Sequence, residues 1–227
     1  SSIIIKGFSL IAGFLMLPIT LSYVDASEYG VWLTLSSIVG WFVFFDIGLT
    51  QGLRNKFAAA KAKGEDDLAK IFVSTTYAIL FFVFTGTWIV FLLTNAFLDW
   101  SKILNVSQSM RPEVTTLAII VFTYFCISFV LRIITTVLLA DQKPAGSSLI
   151  DLAGQVLSLA IILILVRTTE GSIVKLGLAL CLSPLVILVL ANLFLFNGIY
   201  RKYKPAISHI KFSYAKELFS LGVVFFV

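Results

Sequence analysis

Arg132 lies inside an apolar run, residues 114–140, where a charge held in hydrocarbon costs at least about 2.5 kcal/mol. A guanidinium kept there has two readings. It is an anion contact inside a cavity, with phosphate a natural partner for its forked donors. Alternatively it snorkels to the nearby interface or closes a structural ion pair. Two carboxylates share its third of the membrane: Asp46, near the end of a run at 30–50, and Asp151, early in a run at 147–166. Each reads as a counter-ion for Arg132. The sharper alternative is a carboxylate that couples transport to protons or sodium. Gln155 reads as a bond between helices, or as a polar group facing the same cavity.

Other chemistries find no residues to carry them. There is a single histidine, His209, and no Ser/His/Asp set, P-loop, Gly-rich dinucleotide turn or Asp-rich metal motif. The two cysteines, Cys126 and Cys181, lie in apolar runs without CxxC spacing. No disulfide framework, metal site or cofactor is expected from them, and the chain does not read as an enzyme. The net charge of +5 comes from basic residues in short gaps between apolar runs. They form no continuous basic face, so nucleic acid is not an expected partner.

The elements that must position these groups follow from composition. The chain is 59% hydrophobic and 13% charged, with a mean hydropathy of +1.02, whereas soluble domains carry about 25% charged residues. Crossing about 30 Å of hydrocarbon takes about 20 helical residues. On that measure spans are expected at 3–24, 30–50, 71–97, 114–140, 147–166 and 173–199, and a seventh opens near Leu218. Pro18 and Pro184 fall inside spans, where each predicts a kink. The first run is too long for a signal peptide's apolar region and no A-x-A-like site follows it.

Two gaps, 51–70 and 200–216, are basic and both follow even-numbered spans. With Lys6 and Lys143 that side holds twelve of the seventeen basic residues. Positive charge marks the cytoplasmic face, so the N-terminus is expected there. The first gap reads as a solvated connector, or as a short interfacial helix with Phe57 and Leu68 toward the membrane and Gly64 at its end. The expected organisation is a transmembrane lobe over 1–199, a basic linker over 200–216 and the start of a second lobe over 217–227. The chain opens without methionine and breaks off inside an apolar run, which reads as the front part of something longer. Phe8-Ser-Leu10 recurs as Phe219-Ser-Leu221, in keeping with transporters built from repeated halves.

The stretch Phe45-Asp-Ile-Gly-Leu-Thr-Gln-Gly-Leu-Arg-Asn55, with Tyr29-Gly-Val-Trp32 before it and Ala140-Asp-Gln-Lys143 after it, resembles the polysaccharide-biosynthesis, O-antigen flippase family of the multidrug/oligosaccharidyl-lipid/polysaccharide exporter superfamily. Asp46, Gly48, Gly52, Arg54 and Asn55 carry the likeness. The resemblance implies an all-α integral membrane protein, a six-helix MATE-like lobe followed by the start of a seventh helix. It implies a bacterial inner-membrane location and transfer of undecaprenyl-diphosphate-linked oligosaccharide to the outer leaflet by alternating access. The implied partners are that lipid-linked substrate, the bilayer and a second lobe of the same protein. Lys6 would then join Arg132 and Gln155 around the anionic headgroup. A cation antiporter of the same superfamily is the alternative within transport, although residues 3–24 hold no carboxylate. A membrane scaffold for polysaccharide assembly is the alternative outside it.

Overall fold

The computed structural model describes residues 2–41 and 47–223. Among them helices joined by short turns make up the chain, with no strand. Apolar residues have no water with which to share backbone hydrogen bonds in a bilayer, so helices that close their own ladders are the economical solution.

Helix α1 spans Ser2–Tyr23, and α2 spans Ala26–Gly40. The turn between them is set by a capping box: the Glu28 amide donates to the Asp25 carboxylate at 2.8 Å, and Glu28 returns the bond to the Asp25 amide. Helix α3 covers Ile47–Ala62 and α4 covers Asp66–Asn95. Gly64 adopts φ +75° between them, a conformation that ends α3 as a residue with a side chain could not do cheaply. A short helix, α5 (Trp100–Ile103), precedes α6 (Arg111–Leu131), α7 (Ile133–Ala140), α8 (Pro144–Thr168) and α9 (Ile173–Asn197). Three 3-10 turns then lead to α10 (Ala215–Val223).

Five helical stretches among the described residues are long and apolar enough to cross a membrane: Ile4–Tyr23, Asp66–Asn95, Gln108–Ala140, Pro144–Thr168 and Ile173–Asn197. These correspond to five of the six expected spans. The remaining one, 30–50, divides between α2 and α3, and residues 42–46 lie outside the described residues, Asp46 with them. Much of the apolar surface faces outward: Phe14 is 79% exposed and Leu93 is 66% exposed. A folded chain in water does not leave such a surface uncovered; lipid covers it. The protein is a multi-pass membrane protein.

The interior is built around α4 and α6. Phe91 stacks on Phe122 with ring centroids 3.9 Å apart, and Phe84 lies 4.6 Å from Phe129. Phe84 and Phe91 are seven residues apart, two turns along one face of α4. With lipid as apolar as the side chains, such close contact rather than water exclusion holds these helices together.

The basic stretch after α2 differs from its expected form. Residues 51–62 belong to α3, and Phe57 is fully buried, edge-on to Tyr203 at 5.0 Å. It faces the protein, not the membrane, because Leu49, Leu53, Phe57 and Ala60 form one helical stripe that α3 turns inward. Leu68 also packs against the interior.

The segment expected as a linker lies along α4. The Ala206 amide donates to Ser74 Oγ at 3.1 Å, the Lys211 amide donates to Thr75 Oγ1 at 3.0 Å, and Tyr214 packs edge-on to Phe72. Helix α10 then folds back on α3. A Cβ placed on Gly52 would stand 1.8 Å from the Leu218 carbonyl oxygen, so the two backbones meet at the residue without a side chain.

Candidate functional site

Helices α1, α8 and α9 meet the α6–α7 junction around an open cavity of about 540 Å3. Its polar lining comes mostly from α8. Ser148, Asp151, Gln155 and Ser158 recur at steps of three, four and three residues, so they stack on one face. Lys6 and Ser9 project from α1, and Leu180, Pro184 and Leu188 form the wall from α9.

Two features of backbone shape the cavity. Gly154 lets α8 lie against α9, since a Cβ there would come within 3.0 Å of the Pro184 Cα. Pro184 has no N–H to donate to the carbonyl of Leu180 four residues before it, so an acceptor is left beside the cavity wall.

Arg132 owes its position to a break. Helix α6 stops at Leu131 and α7 begins at Ile133, with Arg132 at φ −66° and ψ −10° between them. The Leu131 carbonyl is taken by the side chain of Asn192, whose Nδ2 donates to it at 2.9 Å. Asn192 Oδ1 in turn accepts from the Tyr77 hydroxyl at 2.6 Å. Asn192 thus ties α4, α6 and α9 at the level where Arg132 leaves the helix. The Thr135 amide then bonds the Arg132 carbonyl at 2.9 Å, a tightened turn that restarts the helix.

The Arg132 guanidinium pairs with the Asp151 carboxylate at 3.2 Å. Their side chains are 46% and 42% exposed, so the pair is open to the cavity and available to an incoming ligand. Gln155 offers a side-chain oxygen that is shielded from solvent and has no hydrogen-bond partner. Lys6, Arg132, Asp151 and Gln155 thus share one cavity. Two cations and one carboxylate leave it a charge of +1.

The motif residues lie elsewhere. Gly48, Gly52, Arg54 and Asn55 are on α3, and none lines this cavity. Gly52 meets α10, while Arg54 and Asn55 are exposed. Asp46 lies outside the described residues, so the counter-ion seen for Arg132 is Asp151. Comparison with protein families, curated proteins and solved structures finds no match for this chain.

Tyr124, Ser9, Ser148 and Ser158 line the cavity without having been singled out from the sequence. For α8 the signal was present: polar residues at helical spacing through an otherwise apolar span. For Ser9 and Tyr124 the signal was weaker: Ser9 lies three residues after Lys6, and Tyr124 lies eight residues, about two turns, before Arg132. Among the described residues no cluster of His, Cys, Asp or Glu could hold a metal ion, and both cysteines are buried thiols.

A second set of charges ties the basic end together. Asp141, which follows α7, accepts from Lys61, from Lys143 at 2.7 Å and from the Tyr200 hydroxyl at 2.7 Å. Burial pushes its carboxyl up, but the hydrogen bonds from Lys143, Lys61 and Tyr200 outweigh this and hold it at about 2. Asp66, at the start of α4, accepts from the Tyr203 hydroxyl at 2.6 Å and from Lys202 at 3.0 Å.

Proposed function

We propose that this chain forms one lobe of a membrane transporter that moves undecaprenyl-diphosphate-linked oligosaccharide from the cytoplasmic to the outer leaflet of a bacterial inner membrane. The reading takes the lobe as six-helix and MATE-like, with α2 and the start of α3 supplying the span beyond the five long helices. Its N-terminus is cytoplasmic, since the basic residues crowd the end where α1 begins.

The observation that carries the reading is the convergence of Lys6 and Arg132, from separate helices, on one polar cavity inside a membrane protein. Such a charge is expensive in hydrocarbon and is retained where a cavity and a partner use it. A diphosphate supplies the anion, and the hydroxyls of Ser148 and Ser158 with the unpartnered oxygen of Gln155 supply hydrogen-bonding groups for sugar. Small-molecule sites span roughly 300–1,000 Å3. A cavity of about 540 Å3 is therefore large enough for a diphosphate and its first sugar. The remaining sugars need the second lobe, and rocking of the two lobes would expose the cavity to each side in turn. The cation-antiporter alternative fits less well, because the single cavity carboxylate is already paired with Arg132.

The test is flipping of a fluorescent undecaprenyl-diphosphate sugar in proteoliposomes holding the full-length transporter. Arg132→Ala is expected to slow transfer by about ten- to a hundredfold, the value of one charge-assisted hydrogen bond in ratio form. Arg132→Lys should recover part of it. Full rates from the Lys6→Ala/Arg132→Ala double variant would remove the cavity from the substrate's path.

A further inference from the structure

A second groove lies on the lipid side of α4. One part, about 500 Å3, is walled by Phe81, Trp88, Cys126 and Val130 between α4 and α6. Another, about 460 Å3, is walled by Tyr77, Phe81 and Val130 together with Pro205, Ile207 and Ile210 of the segment packed on α4. Phe81 and Val130 belong to both walls, so the two parts adjoin. From Ser74 to Trp88 the groove follows fourteen residues of α4, or about 21 Å at 1.5 Å per residue. That exceeds the depth of one leaflet's hydrocarbon, about 15 Å.

The polar groups of Ser74, Tyr77 and Trp88 along it are already used. Ser74 Oγ accepts from the Ala206 amide, the Tyr77 hydroxyl donates to Asn192, and Trp88 Nε1 donates to Thr123 Oγ1 at 3.0 Å. A groove whose polar groups are satisfied suits a hydrocarbon chain and not a polar solute. Its rim is cationic. Lys204 and Lys211 flank the wall residues Pro205 to Ile210, and neither belongs to an ion pair among the described residues. Lys204 donates to the neutral amide oxygen of Asn197, at 2.8 Å, and not to a carboxylate. Ile207 is 90% exposed beside them, an apolar side chain placed to enter the interface.

We propose that this groove is a binding site for an anionic phospholipid, its headgroup held by Lys204 and Lys211 and one acyl chain lying along α4 toward Trp88. The site is separate from the Arg132 cavity and does not depend on what that cavity carries. It would fasten the segment 199–214 to the membrane at the point where that segment leads into α10.

The experiment places the chain in phosphatidylcholine nanodiscs containing a small fraction of brominated lipid, either phosphatidylglycerol or phosphatidylcholine. Tryptophan quenching is read in the wild-type protein and in Trp88→Phe, the difference being the Trp88 signal. Brominated phosphatidylglycerol is expected to quench Trp88 at about tenfold lower mole fraction, from two lysines near an anionic surface. Salt should narrow the gap. Lys204→Ala/Lys211→Ala should abolish the preference while leaving quenching by the brominated phosphatidylcholine intact, which also shows that the variant is folded. Equal quenching of the wild-type protein by the two lipids would reduce the groove to ordinary lipid contact and overturn the proposal. Absence of quenching by either would overturn it too, by showing the groove closed in a bilayer.

Discussion

At the scale of single residues, the pairing of Arg132 with Asp151 sets what the cavity offers an anion. The carboxylate orients the guanidinium and also competes for its donors. Asp151→Asn raises the cavity charge from +1 to +2 while keeping the side chain's size. Inorganic pyrophosphate is then expected to bind about tenfold more tightly, a difference of about 1.4 kcal/mol, measured by calorimetry on the purified protein. If Asp151 instead couples transport to a cation, the same variant should slow transport and leave pyrophosphate affinity where it was. The two roles left open for this carboxylate by the sequence are separated by that one comparison.

At the scale of elements, the junction between α6 and α7 is held by Asn192 bridging the Leu131 carbonyl and the Tyr77 hydroxyl. Asn192→Leu leaves both without a partner in an apolar interior. Its expected cost is about 1–3 kcal/mol of stability, read as a lowered Tm in nanodiscs, and loss of the tie beside Arg132 should loosen its place in the cavity and weaken anion binding with it. Helix α10 depends on a different contact. Gly52→Ala puts a methyl where the Leu218 carbonyl already sits, so α10 is expected to lift from α3. Faster hydrogen exchange over 215–223, with pyrophosphate affinity unchanged, would mark the loss as local to that contact. Protection equal to wild type would show that α3 and α10 have room to spare.

At the scale of the whole molecule, the Asp141 cluster joins α3, the α7–α8 turn and the segment after α9 at the basic end. Its folded carboxyl sits at about 2, against about 3.9 in an unfolded chain. A lowered folded value means stability that is fully present above the unfolded value and lost as pH falls toward the folded one. Thermal stability should therefore hold at neutral pH and decline between about pH 4 and pH 2. In Asp141→Asn that part of the decline should vanish, with the neutral-pH Tm already lowered. An unchanged acid profile in the variant would remove Asp141 from this role.

Much of this was legible from the chain alone, and the reason is the bilayer. Hydrocarbon thickness converts a run of apolar residues directly into a helix of known length, so the five long spans appear in the sequence as plain counts. The expense of a buried charge likewise marked Arg132 as a residue in need of a partner, with Asp151 among the two carboxylates at its depth. What composition could not decide is which faces meet. Phe57 reads as a membrane-facing residue until α3 turns its stripe of Leu49, Leu53 and Phe57 toward the protein. Residues 200–216 read as a basic linker, and only the fold shows that part of it lies along α4, where Ser74 and Thr75 take up the amides of Ala206 and Lys211. The cavity itself depends on Gly154 admitting Pro184 and on Asn192 taking up the Leu131 carbonyl beside Arg132. Hydropathy is a property of one segment in its solvent; these contacts are properties of two segments together, and only the tertiary fold brings the two together.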